Sequence, residues 1–295
     1  MRCSARAEDG ELAAVASAPV SDRPPFVSFL SDYGYNDEFV GVCHAVMLDL
    51  VPDLRIIDVT HDVPAFDVRA GALALVRAVQ YLPEGVVLAV VDPGVATDRR
   101  CIAVAVETGF LVGPDNGLLA PAVAMLGGAG DAVALENPKY HLPAPGATFA
   151  GRDVMAPAAA QLAAGLPIIE LGPLVDPTTL APGLVPLPHE DEDGTTIMGE
   201  VLWVDRFGNC QLNVSPDLLL ARSVAPGGTV GVTIGDDSRR ARWVGAFAEA
   251  KPSELILLVD SYGMCTLAFD RRSAATQLKL KVGQAVSIAT PERPA

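Results

Sequence analysis

The chain has 295 residues, 50% hydrophobic and 19% charged, with a net charge of −15. That charge argues against nucleic acid and anionic membrane surfaces as partners, because both are bound through clusters of Lys and Arg, and no apolar stretch approaches the roughly 18 residues needed to cross a bilayer. The five cysteines, Cys3, Cys43, Cys101, Cys210 and Cys265, are scattered outside any metal-ligand spacing, so the sequence predicts reduced thiols in a cytoplasm and no zinc or other metal cofactor.

A chain of this length buries roughly three quarters of its unfolded surface, and two domains are the default. Residues 1–23 mix Arg, Asp and Glu with Ala and Ser around no continuous apolar core; they make no secretory signal and read as a mobile arm. From Phe26 onward, short apolar runs alternate with helical periodicity, the pattern of βα units and a largely parallel sheet. Phe26-Val27-Ser28-Phe29-Leu30 is the first predicted strand and ends at Ser31-Asp32-Tyr33-Gly34. A helix follows over residues 38–50, with Val42, Val46 and Leu50 on one face and Pro52 as its stop; His44 inside it reads as structural. The second strand, Arg55 to Thr60, leads into His61-Asp62-Val63-Pro64. Asp67 reads as the N-cap of a second helix, and Phe66 before it is either a hydrophobic staple or a ring over a crevice.

The run Gly85-Val86-Val87-Leu88-Ala89-Val90-Val91 ends abruptly in Asp92-Pro93-Gly94, with Arg99 and Arg100 shortly after. An unbroken β-branched stretch bounded by Gly and Pro reads as a strand buried on both faces. Ligand crevices of open α/β sheets lie outside the carboxyl ends of such strands, which places Asp92 and a nearby guanidinium for chemistry; the alternative is a turn carboxylate capping the Pro-Gly bend. Cys101 to Val106 and Phe110 to Val112 form a hairpin, followed by the turn pentad Gly113-Pro114-Asp115-Asn116-Gly117. Thr148-Phe149-Ala150-Gly151-Arg152-Asp153 opens an Ala-rich helix reaching about Leu162. Recurring prolines and then an acidic run mark a linker over residues 176–195. It divides an α/β domain over 24–175 from a C-terminal domain over 196–295, whose short strands suggest a small β-barrel or sandwich.

Three predicted strands carry an aspartate at their ends, Asp32, Asp58 and Asp92, which suits ligand hydroxyls or a positive substrate; a metal reading would recruit Asp32, His61, Asp62 and Asp92. In the C-terminal domain, Trp203-Val204-Asp205-Arg206-Phe207-Gly208-Asn209 offers a stacking ring and an amide edge of the kind a purine needs, and Asp260-Ser261-Tyr262-Gly263 is a similar polar corner.

Taken in order, Ser31-Asp32-Tyr33-Gly34, Asp58-Val59-Thr60-His61, Val91-Asp92-Pro93-Gly94-Val95, Pro114-Asp115-Asn116-Gly117, Thr148-Phe149-Ala150-Gly151-Arg152-Asp153 and Asp205-Arg206-Phe207-Gly208-Asn209 resemble the S-adenosyl-L-methionine (SAM) hydrolases. This family, also called SAM hydroxide adenosyltransferases, is related to the fluorinases and chlorinases. The resemblance runs from about Phe26 to Ile288 and implies an N-terminal Rossmann-like α/β domain, a C-terminal β-barrel, and a homotrimer with SAM held between subunits. It implies that Asp32 holds the ribose hydroxyls, that Phe66 lines the pocket, and that Phe207, Asn209 and backbone near Arg271 hold the adenine. Phe149 and Gly151 would border the substrate, and Asp205 and Ser261 would face the methionine amine. Tyr262 stands where the halogenases have an arginine.

The resemblance further implies hydrolysis to adenosine and methionine by in-line attack of water on the ribose C5′, with Asp92 and Arg99 orienting that water and SAM as substrate rather than cofactor. Halogenases have a tyrosine at the place of Asp92, and a carboxylate there repels a halide. Hydrolases complete the pair with a histidine where this chain has Ala150, which implies impaired hydrolysis whether Ala150 is natural or introduced. A SAM-dependent halogenase and a non-catalytic SAM- or adenosine-binding protein are the alternative readings.

Overall fold

The computed structural model describes residues 25–183 and 185–290, so the arm predicted for residues 1–23 lies outside the described residues. In chain order the first domain comprises β1 (Phe26–Ser31), α1 (Phe39–Leu50), β2 (Arg55–Thr60), α2 (Val68–Val79), β3 (Gly85–Val90), β4 (Cys101–Val106), β5 (Gly109–Pro114), α3 (Ala120–Met125), β6 (Ala132–Ala134), α4 (Ala156–Ala163) and β7 (Leu174–Val175). Its seven strands lie in the order β2-β1-β3-β5-β4-β6-β7. β2, β1, β3 and β5 pair in parallel, β4 runs against them, and β6 runs with them again. The expected mostly parallel sheet is present.

The apolar run before Asp92 is central in that sheet and covered on both sides. Val86, Leu88 and Val90 pack with Val40, Cys43 and Met47 of α1 and with alanines of α4, while Val87, Ala89 and Val91 pack with Leu75 of α2 and Ala122 of α3. Period-2 alternation thus delivers apolar groups to two separate cores, which is why the run has no polar member. Asp67 caps α2 as predicted, accepting from the Ala70 N–H at 2.9 Å. The helix expected around residues 148–162 begins instead with a π-helical turn, Gly151–Met155, before α4.

The second domain contains β8 (His189–Glu190), β9 (Thr196–Val204), β10 (Cys210–Leu212), α5 (Pro216–Leu220), β11 (Thr229–Ile234), β12 (Asp237–Trp243), β13 (Ile256–Val259), β14 (Cys265–Ala268), α6 (Ala274–Leu278) and β15 (Ala285–Ala289). Strands β10-β14-β13-β12-β11-β15-β9 form one sheet, and β9 also pairs with β10, closing a seven-stranded barrel. Closure removes the exposed edges of an open sheet. The barrel is the alternative implied by the family resemblance, in place of a sandwich. β12 escapes a hydrophobicity reading because its first four residues, Asp237-Ser238-Arg239-Arg240, are all exposed and only Ala241 and Trp243 are buried.

The stretch 176–195 carries a 3-10 turn, Pro177–Thr179, and β8, which pairs with β9. It is tied to the first domain where Arg100 donates to the Thr179 carbonyl at 2.9 Å and Asp115 accepts from the Ala181 N–H at 2.8 Å. The two domains also meet where the Arg77 guanidinium of α2 lies 4.2 Å from the Trp203 ring centroid. Among the described residues no helix is long and apolar enough to cross a membrane.

Candidate active site

Asp92 follows the carboxyl end of β3, and the strand end is braced: Asn116 of the turn pentad donates to the Val91 carbonyl at 2.8 Å. The Asn116 side chain has a structural role there. The Asp92 carboxylate accepts from Arg99 Nε at 2.7 Å and from Arg99 Nη2, a two-pronged pair. Such forks fix orientation as well as charge. The adjacent Arg100 turns elsewhere and pairs with Asp115, Nε to Oδ2 at 2.8 Å. Of the two neighbouring cations, one belongs to Asp92 and the other to the architecture.

Asp32 stands just past β1, and its Oδ2 accepts from the Phe66 N–H at 2.9 Å. Burial pushes its pKa up, the Phe66 N–H pulls against that, and the Asp92 charge adds to the rise. Phe66 sits at φ 67°, a left-handed conformation that costs a non-glycine residue roughly 1–2 kcal/mol. The residue is 72% exposed and borders the same cavity as Asp32, so it is no staple. The bond from Asp32 helps hold this backbone where the ring overhangs the cavity.

The third wall comes from the turn before α4. Phe149, Ala150 and Gly151 join Asp32, Phe66 and Asp92 around a cavity of about 390 Å³. Arg99 stands behind Asp92 rather than on the cavity wall. Gly151 is required locally: a Cβ there would come within 2.0 Å of the Tyr33 oxygen. π-helical turns of this kind are frequent at functional sites. Asp153 is buried and paired with Arg152, Oδ1 to Nε at 2.6 Å.

Two expectations are corrected here. Asp58 does not join Asp32 and Asp92; its Oδ1 is bonded by His44 Nε2 at 2.9 Å and His61 Nε2 at 3.0 Å. The proposed metal set of Asp32, His61, Asp62 and Asp92 is therefore not assembled, because His61 is buried between Asp58 and Ser31, whose Oγ lies 2.6 Å from Nδ1. Burial pushes the His61 pKa down, with Asp58 opposing. His44, Asp58 and His61 do come together, and the two imidazole Nε2 atoms share one carboxylate oxygen. None of the four histidines borders the cavity: His141 bonds the Leu135 carbonyl at 3.1 Å, and His189 is exposed on β8.

The second-domain residues gather around different cavities. Asp205, Phe207, Asn209, Ser261 and Tyr262 border one of about 590 Å³, together with Arg77 and Trp203. Arg271, at φ 53°, borders a neighbouring cavity of about 410 Å³ that shares Phe207 and Asn209. Asp205 Oδ1 accepts from the backbone N–H groups of Phe207 (2.9 Å) and Asn209 (2.8 Å), and Oδ2 accepts from Asn209 Nδ2 (2.7 Å). Asp260 repeats this: Oδ1 accepts from the N–H groups of Tyr262 (2.9 Å) and Met264 (3.1 Å). Each turn has a left-handed glycine in fourth place, Gly208 at φ 81° and Gly263 at φ 79°. They are one five-residue turn used twice, each presenting an aromatic ring in third place.

The likeness of the Asp260 corner to the Asp205 segment is legible in the sequence as the spacing Asp-x-aromatic-Gly shared by residues 205–208 and 260–263, whereas no sequence signal marks Arg77 or gives Tyr33 a role of its own.

An α/β domain with strand-end carboxylates, joined to a small barrel that presents aromatic rings on aspartate-ordered turns, defines the class of this protein. The family described as the SAM hydroxide adenosyltransferase N-terminal domain matches residues 27–172, and its C-terminal counterpart matches residues 199–287. The chain belongs to the SAM hydroxide adenosyltransferase family. It is 47% identical over 266 residues to the (R)-S-adenosyl-L-methionine hydrolase of Salinispora tropica, covering 90% of this chain and 97% of that one. A fluorinase of Actinopolyspora mzabensis is more distant, 26% identical over 291 residues, with 90% and 97% covered. The crystal structure of an uncharacterized conserved protein from Thermotoga maritima superposes with a TM-score of 0.82 at 33% identity, covering 89% of this chain and 99% of that one.

Proposed function

We propose that the protein hydrolyses S-adenosyl-L-methionine to adenosine and L-methionine. The observation that carries this reading is the Asp92 carboxylate, clamped by Arg99 on the border of a cavity that also holds Asp32. The substrate's sulfonium leaves as a neutral thioether and needs no acid, so the barrier lies in aligning and activating one water opposite the C5′–S bond. A fixed carboxylate is suited to that, and positioning of this kind supplies much of an enzyme's advantage. Asp32, a two-oxygen acceptor, suits the ribose diol, and Phe207 and Asn209 suit the adenine. The chemistry calls for no metal or cofactor.

The first-domain and second-domain residues border separate cavities of one chain. That separation supports a site shared between subunits, the first domain of one facing the second domain of the next, as in the homotrimer the family resemblance implies, and a cytoplasmic setting fits the free thiols of Cys43, Cys101, Cys210 and Cys265. Ala150 favours a second reading, a SAM- or adenosine-binding protein without turnover.

The protein incubated with SAM releases adenosine, followed by chromatography, and Ala150→His raises the rate. Binding of SAM with no adenosine from either form would establish the binding-protein reading. Halogenated deoxyadenosine in the presence of chloride or fluoride would overturn water as the nucleophile.

A further inference from the structure

Tyr33 follows Asp32 directly, and nothing above gives its hydroxyl a task. Its ring is held edge-on against Phe149 (centroids 5.5 Å apart, planes at 86°), Phe39 (5.7 Å, 64°) and Phe29 (6.4 Å, 79°). This cage fixes where the hydroxyl points. It points at the backbone of the turn carrying Ala150, so closely that residue 151 has room for no Cβ. Tyr33 thus shares the wall of the first-domain cavity with Asp32, Asp92 and Ala150. Its backbone N–H donates to Ser31 Oγ at 3.2 Å, and among the described residues its hydroxyl has no hydrogen-bond partner. Caged tyrosine hydroxyls ordinarily find one.

We propose that the Tyr33 hydroxyl holds the attacking water, accepting one of its hydrogens while Asp92 accepts the other, beside an Ala150 that offers no side-chain polar atom. The inference rests on the hydrolase reading above. Held on two sides, the water directs a lone pair at C5′. The O–C5′ bond forms as the C5′–S bond breaks, the bonding pair leaves on sulfur, and the water's proton passes to Asp92 and from there to solvent. Burial first, then Cys43 and the Asp32 and Asp92 carboxylates, push the Tyr33 phenol well above its ordinary range. It stays neutral and protonated, so it positions the water and does not act as the base.

Tyr33→Phe removes one oxygen and keeps the caged ring. Expected is a fall in kcat of about tenfold, the worth of one hydrogen bond, with KM for SAM and adenosine affinity by calorimetry unchanged. In an Ala150→His background, where an imidazole supplies a polar contact, Tyr33→Phe has little further effect. Equal kcat in the Ala150 chain and its Tyr33→Phe variant overturns the proposal. So does a loss of adenosine affinity in step with kcat, which marks a packing role, and so does an active Ala150→His form beside an inactive Ala150 chain. If no form releases adenosine, it is the hydrolase reading that fails, and this proposal with it.

Discussion

The two halves of the candidate site use aspartate in opposite ways. In the first domain, Asp32 and Asp92 sit past strand ends and border the cavity, one bonded by a single backbone N–H and the other clamped by a guanidinium. In the barrel, Asp205 and Asp260 turn inward on their own loops and gather the N–H groups of the residues that follow. A carboxylate within reach of the N–H groups two and four residues ahead becomes part of the backbone's order. One at the end of a buried strand has no such neighbours and is left for a ligand. On the proposed reading, the first domain supplies the chemistry and the ribose contact, and the second supplies the adenine contacts.

The largest effect that tests this division is expected from Arg99→Met, which leaves Asp92 without its clamp. Adenosine release falls by about a hundredfold or more, in the range of losing a preorganised polar group from an active site, while adenosine binding by calorimetry is retained. Asp205→Ala should do the reverse. With three donors released in the turn, stability to urea drops by about 1–3 kcal/mol and adenosine affinity falls, while turnover at saturating SAM is little changed. A variant at Asp205 that lost turnover but kept affinity would break the comparison.

The smallest effect concerns His61, which stands behind Asp32 through Ser31. Burial lowers its folded pKa below the ordinary 6.5, so between the two values the unfolded chain binds more protons than the folded one. Stability then rises with pH through that window and is lost as pH falls below about 6.5, levelling once the folded pKa is passed. The urea midpoint should drop between pH 7 and pH 5, and His61→Asn should flatten that drop. An unchanged slope in the variant would show that His61 is not the titrating group.

Much of this was legible in the sequence, and the omissions have local causes. The β3 run announced a strand covered on both faces, and Asp92 falls beyond its end as expected. An aspartate near a strand's end is expected to lie outside the sheet, and Asp58 departs from that. It pairs in register with Phe29, inside the ladder between β1 and β2, and its side chain reaches His44 on α1. β12 is hidden because a strand that opens with four exposed polar residues looks like a loop. Tyr33 is not legible as a site residue, because a sequence does not say whether a tyrosine's oxygen has a partner.

The divergence of Arg99 and Arg100 makes the entry to β4 a ruler. Neighbouring residues entering a strand face opposite sides, so Arg99 meets Asp92 and Arg100 meets Asp115, and the Asp115 N–H donating to the Arg100 carbonyl at 2.9 Å fixes that register. A residue inserted between Arg100 and Cys101 would carry both guanidiniums off their partners, whereas one inserted between Asp92 and Asp98 leaves their sides unchanged. The count of residues is therefore constrained at the strand entry and not across the turn before it.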